Sequence, residues 1–339
     1  MERKKTLLFI NARAGMEKGG SESYRIMEAL CRQGCELTVY PVLPSVPELS
    51  IDSILSGNVG RFELVSCVGG DGTLHHLVNA LMKEEERMPI LYFPFGSTND
   101  FARSLGIPAS VAKNAASVTR GSLFPCDIGS LNGKYFSYVA AFGSFTKVSY
   151  STKQDLKNVL GYPAYLLHGL QTLPENLNYT RRLKILHDGE TEEGDFLFGA
   201  VSNTSSIGGF SAFGSSALKQ KPSPALNDGL FEVLLIRAPK NIQELTEIIG
   251  SLVSAQMDRD SPYIRSFKSA ELLIESEMSI EWTLDGEYGG KFRRAEIRNH
   301  PKSIRILLPA ESGGAEKGGG KRRSADGRGK GTERKAALN

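Results

Sequence analysis

Along the first 124 residues, hydrophobic positions alternate between two periods. Thr6–Ile10, Glu36–Val42, Phe62–Val68 and Pro89–Pro94 are short, mostly apolar runs bounded by polar residues. Runs of that length and composition read as strands buried on both faces. Between them, apolar residues recur at helical spacing. The clearest case follows Phe62–Val68, where Leu74, Leu77, Val78 and Leu81 fall at i, i+3, i+4 and i+7, one face of a helix. Helices are also predicted around Ser21–Gln33 and over Val46–Ser56. Strand and helix in alternation imply a parallel sheet covered by helices.

From Pro125 the pattern shortens. Asp127–Leu131, Lys134–Ala141, Arg182–His187, Phe196–Asn203, Leu230–Arg237, Ser269–Glu275, Ile280–Leu284 and Ile304–Leu307 read as strands joined by tight turns. Helical segments near Asp155–Leu173 and Ile242–Ala255 interrupt them. The expected architecture is α/β: a Rossmann-like parallel-sheet domain over residues 1–124, then a mostly β sandwich domain over 125–309. Residues 310–339 are Gly-rich, nearly without large apolar side chains, and predicted to be a disordered tail.

Charge and cysteines narrow the class. The formal net charge is +3, but from Glu311 onward eight Lys/Arg stand against four Asp/Glu, leaving the rest near −1. The tail is read as solvated, with at most a weak pull toward anionic lipid or nucleic acid, and no nucleic-acid partner is expected. No apolar run approaches the roughly 20 residues of a membrane span. The short apolar run after MERKK leads into Asn and Arg and reads as the first strand, not a signal peptide. Four cysteines, at 31, 35, 67 and 126, form no paired CxxC motif, so a reduced, cytoplasmic protein is expected.

Candidate chemistry sits in the turns. NARAG (Asn11–Gly15), GGDGT (Gly69–Thr73) and GSTND (Gly96–Asp100) each follow a predicted strand, at the sheet edge where such folds bind ligands. Gly69, Gly70 and Gly72 make a strand-to-helix corner that lets a phosphate approach backbone N–H groups and a helix N-terminus. Asp71 is either a solvated turn residue or a partner for Mg²⁺ or a hydroxyl. Asp100 is either a metal-associated carboxylate or the cap of the helix beginning at Phe101.

In this order and spacing the motifs resemble those of the lipid kinases with a diacylglycerol kinase catalytic domain, in their single-chain bacterial form. The resemblance covers roughly residues 5–309. Besides the three turns it is carried by DIG at Asp127, KNVLGYPAY (Lys157–Tyr165), VSNTSSIGG (Val201–Gly209), NDGLFEV (Asn227–Val233) and LDGE (Leu284–Glu287). It implies transfer of the γ-phosphoryl of ATP, with Mg²⁺, to a lipid hydroxyl at a membrane surface. Asn11, Gly15, Gly69, Gly70, Asp71, Gly72, Thr73, Ser97, Thr98, Asn99 and Asp100 would then face the nucleotide. Glu287 would accept the proton, with Asp285 and Asp127 in the catalytic set. A structural Mg²⁺ would be held by Asp228 and the carbonyls of Ala225 and Leu230.

Leu160–Leu173, apolar with basic neighbours, reads as a helix packed on its own sheet or resting at a bilayer. Peripheral contact with the inner membrane face and a homodimer are compatible with this reading. The chain departs from the family pattern at Ala12, Val42, His75 and His76, and the stretch from Gly209 to Pro222 looks lengthened. Two alternatives stand beside the lipid kinase: a metabolite kinase of the NAD kinase type, which shares GGDGT, and a catalytically weak lipid-binding regulatory protein.

Overall fold

The computed structural model describes residues 3–14, 18–43, 45–97, 99–143, 180–203, 206–207, 210–211, 226–253 and 261–310. The expected helix at Asp155–Leu173 and the tail from Glu311 lie outside these residues, as do Gly15, Thr98 and Ala225.

The first half begins with β1 (Lys4–Ile10), a single turn α1 (Lys18–Ser21) and α2 (Ser23–Arg32). β2 (Cys35–Pro41), α3 (Ile51–Ser56), β3 (Leu64–Gly69) and α4 (Asp71–Leu81) follow. β4 (Ile90–Pro94), α5 (Asp100–Leu105) and α6 (Val111–Arg120) complete it. The strands lie in the order β2-β1-β3-β4, all parallel. Every residue of β3 is buried, as its apolar run implies. Successive side chains point to opposite faces. Leu7 and Phe9 of β1 join α3, α4 and α5 in one core, whereas Leu8 and Ile10 join α2 and α6 in another. The predicted face of α4 is the buried one: Leu74, Leu77, Val78 and Leu81 all pack inward.

β5 (Ser122–Leu131), β6 (Lys134–Phe136), β7 (Val139–Gly143), β8 (Arg181–His187) and β9 (Glu190–Ser202) open the second half. A ribbon of β10 (Ser206–Ile207) and β11 (Phe210–Ser211) comes next, then β12 (Phe231–Arg237), α7 (Ile242–Val253) and β13 (Ile264–Ser269). Two long strands finish it, β14 (Glu271–Leu284) and β15 (Glu287–Leu308). These strands pair antiparallel and enclose a core around Trp282, which meets Phe142 edge-on at 4.9 Å, and Phe136, stacked on Phe231 at 5.7 Å.

The expected division into a separate parallel sheet and a sandwich needs correction. A single hydrogen-bonded path runs β13-β12-β9-β7-β14-β15-β4-β3-β1-β2, so the four parallel strands are one end of a largely antiparallel 13-stranded sheet. The joint is β15. Its first part pairs with β14, its later part with β5, and Ile306 meets Ile90 of β4 in parallel. Only Ile304–Leu307 of β15 was legible as strand, because Arg, Lys and Glu crowd its outer face and Pro301 sits where the register shifts between His300 and Ile304. No helix among the described residues is long and apolar enough to cross a membrane.

Candidate active site

The three polar turns meet. Asn11, at the end of β1, donates from its backbone N–H to Val68 O at 2.9 Å and from Nδ2 to Thr73 Oγ1 at 2.9 Å. That ties the first turn to the second. The second and third turns touch through glycine backbones: a Cβ on Gly96 would lie 2.6 Å from the Cα of Gly70, and one on Gly70 2.9 Å from the Cα of Gly96. Asp71 Oδ2 accepts the Asp100 N–H at 3.1 Å across the same seam. Behind it the Tyr92 hydroxyl donates to Gly69 O at 3.2 Å, and burial, with the Asp71 charge beside it, holds that phenol protonated well above its usual range.

The glycines here are required by contact. Gly96→Ala would also drive its Cβ to 2.7 Å from Asn99 Oδ1. Overpacking of this kind costs typically about 1–3 kcal/mol, and here it would wedge two turns apart. The expected result is a lower unfolding midpoint with a raised KM for ATP, read by thermal denaturation and initial rates.

α4 starts at Asp71 with Gly70 as its N-cap, and no side chain caps it. The first-turn N–H groups and the positive dipole end therefore serve whatever sits at the turn's mouth. Asn99 has a different task from the one its motif suggests. At φ +50° it turns its amide back on the loop, accepting from Gly96 N and donating to Gly96 O, both at 2.8 Å. Its side chain shapes the turn from within. Ser97 is exposed at the turn's tip.

The second half reaches this place through one hairpin. Asp285 (φ +51°) and Gly286 (φ +88°) form a two-residue turn between the paired residues Leu284 and Glu287, the primed geometry that Asp-Gly favours. The corner delivers the exposed Glu287 to α4: a Cβ on Gly72 would stand 3.1 Å from Glu287 Oε1. Gly72→Ala is accordingly expected to displace the Glu287 carboxylate by a few tenths of an ångström. Folding should be nearly unaffected, since an exposed side chain gives way, while kcat falls; a thermal melt and a turnover assay on one preparation check both.

Asp285, named with Glu287 from its motif, is not an open carboxylate. Oδ2 accepts Ser137 N–H at 2.8 Å and lies 3.0 Å from His75 Nδ1; Oδ1 accepts Tyr138 and Val139 N–H at 2.8 and 3.0 Å. It is a clasp. Asn79, one turn beyond His75, makes a parallel tie to both the N–H and the C=O of Tyr135, at 3.0 and 2.9 Å. Sequence reasoning gave neither His75 nor Asn79 a part. Their i, i+4 spacing put them on one helical face, but nothing in the sequence says what that face meets.

Asp127 also lies apart from the turns. Buried on β5, it accepts Gly229 N–H and Lys302 N–H, each at 2.7 Å, pinning the NDG loop to the irregularity in β15. Burial raises its carboxyl above the usual range, partly offset by those two N–H bonds. Next to it, Lys268 Nζ bridges Asp228 Oδ2 at 3.0 Å and buried Glu232 Oε1 at 3.1 Å, while Asp228 Oδ1 accepts Leu230 N–H at 3.0 Å. An ammonium already neutralises the carboxylate expected to hold a structural Mg²⁺. As arranged, Asp228 and Leu230 do not fit a second cation.

At the turns the donors suit a hard cation better. Asp71 and Asp100 are linked by the bond across the seam, and burial raises the Asp100 carboxyl, opposed by Arg103 at 3.8 Å. An added positive charge there would relieve that burial cost. His76, exposed beside Glu287, has its imidazole pushed toward the neutral form first by desolvation and then by His75, with Glu287 opposing.

A sequence model of the diacylglycerol kinase catalytic domain matches residues 5–131, which span the three turns and β5. The diacylglycerol kinase of Bacillus subtilis (strain 168) is 34% identical over 252 residues, covering 74% of this chain and 79% of that protein. The chain belongs to the diacylglycerol kinase family. The diacylglycerol kinase of Staphylococcus aureus (strain bovine RF122 / ET3-1) is 29% identical over 307 residues, or 91% of this chain and 93% of that one. A crystal structure of a candidate diacylglycerol kinase from Bacillus anthracis str. Sterne shares the fold, with a TM-score of 0.74 at 23% identity over 91% of this chain and 96% of that one. As a member of the diacylglycerol kinase family, the protein is an ATP-dependent lipid kinase.

Proposed function

We propose that this kinase phosphorylates the free hydroxyl of diacylglycerol at a bilayer surface, with Mg²⁺ accompanying ATP and Glu287 accepting the hydroxyl proton. One observation carries the reading: Glu287, from the second half of the chain, lies against Gly72 in the first turn of α4. That places a carboxylate beside the groups best suited to the triphosphate.

The alcohol oxygen bonds to the γ-phosphorus as the bond to the β,γ-bridging oxygen breaks, and ADP departs. The alcohol's proton passes to Glu287. Such a reaction asks mainly for positioning and charge neutralisation. The turn amides and the α4 N-terminus face the phosphates. Asn11, through Thr73, keeps the first two turns in register, and the Gly70–Gly96 contact does so for the second and third. Asp71 and Asp100 would hold the Mg²⁺, which screens phosphate charge when bound. No step runs through the Asp228 loop, where Lys268 supplies the cation.

The test is radiolabelled ATP and Mg²⁺ with diacylglycerol in mixed micelles and, separately, with NAD. A labelled, chloroform-soluble monoester is the expected product. Labelled NADP, or no product in either tube, would overturn the proposal.

A further inference from the structure

We infer that His75 is a positioning residue for phosphoryl transfer: through Asp285 it holds the Glu287 corner against the first turn of α4. The inference rests on Glu287 acting as the base. It starts from the separation of labour inside DGE. Glu287 is exposed, with little packing of its own to hold it. Asp285, two residues earlier, is almost fully enclosed, its side chain 4% exposed. Three of its bonds come from consecutive backbone N–H groups, Ser137 to Val139. Those bonds secure the corner within the second half only.

His75 makes the side-chain bond to Asp285 from the nucleotide half. Its ring is 12% exposed and stands on α4, one turn beyond Asp71, on the helix whose Gly72 faces Glu287. The tautomer follows from its neighbours. Asn79 Nδ2 approaches His75 Nε2 at 3.3 Å and is a donor, so Nε2 accepts and Nδ1 carries the proton toward Asp285 at 3.0 Å. One rigid helix therefore carries the phosphate-facing turn at its start and the tie to the base-bearing corner one turn later. A helix ties the two distances together better than two loops can.

Loss of the imidazole would leave the Asp285–backbone bonds intact, so the corner would stay folded but sit loosely on α4. Misplacement by about 1 Å can cost a reaction on the order of 100-fold. His75→Ala is expected to lower kcat by roughly 10- to 100-fold with KM for ATP unchanged. In His75→Asn the amide nitrogen takes nearly the place of Nδ1 and donates to the same carboxylate, so most of kcat should return. In a Glu287→Gln background, His75→Ala should add no further loss, because both changes act on one proton transfer.

Four measurements decide it: kcat and KM for His75→Ala, His75→Asn, Glu287→Gln and the His75→Ala/Glu287→Gln double variant, each with its thermal midpoint. An unchanged kcat in His75→Ala overturns the inference, as do losses that multiply in the double variant. Failure of His75→Asn to recover activity at a wild-type midpoint does the same. A wild-type rate in Glu287→Gln alone would sink the base assignment itself. An impaired Glu287→Gln beside a fully active His75→Ala would sink only the clasp.

Discussion

Replacing Glu287 with Gln is expected to cut turnover of the lipid acceptor by about 10²–10⁴-fold, the usual worth of a positioned general base. At 1.36 kcal/mol per decade, that is roughly 3–5 kcal/mol of barrier. Folding should be untouched: Glu287 is exposed, Gln has the same shape, and the turn beneath it is built by Asp285 and Gly286. KM for ATP should also hold, because the contacts among the three turns do not involve this side chain. Steady-state rates with diacylglycerol in micelles, and a thermal melt of the same sample, read all three quantities. A variant with wild-type kcat would remove the proton acceptor from the mechanism and leave positioning alone to account for catalysis. A variant with raised KM and unchanged kcat would make Glu287 a nucleotide contact instead.

Much of this arrangement was legible because it is local. β3, its glycine corner and the buried face of α4 follow from a short apolar run, three glycines and four residues at helical spacing. The convergence of the turns was also foreseeable, since parallel strands present their C-terminal ends along one edge. What could not be read depends on pairings far apart in sequence. The β14–β15 hairpin reaches α4 only because β15 runs on to pair with β5 and touch β4. Its surface charges hid the strand that makes the connection.

The same limit explains the carboxylates. Asp71, Asp100, Asp127, Asp285 and Glu287 look alike in a motif. Asp285 spends all its acceptor capacity on backbone and His75, Asp127 on two loops, and only Glu287 is left exposed at the turn. Ser97 stands exposed at its turn, whereas Asn99 closes that turn from inside. Motif membership names the residues; the direction of each oxygen decides its work.

Asp127 gives the sharpest contrast with Glu287. Asp127→Ala is expected to cost stability, on the order of 2–6 kcal/mol, because each buried donor left without its acceptor costs about 1–3 kcal/mol and two depend on it. Those donors are the N–H groups of Gly229 and Lys302, which join the NDG loop to β15. β15 in turn joins the two halves, so loosening it should lower the cooperativity of unfolding as well as the midpoint. Asp127→Asn should recover part of the loss: its carbonyl replaces one acceptor, while its NH₂ opposes the other N–H. Denaturant unfolding of both variants, beside kcat measured well below their midpoints, separates the two roles. A fall in midpoint with a near-normal residual kcat assigns Asp127 to the framework. An unchanged midpoint with turnover abolished would return it to the reacting groups, and would require its carboxylate to leave those two amides when the nucleotide binds.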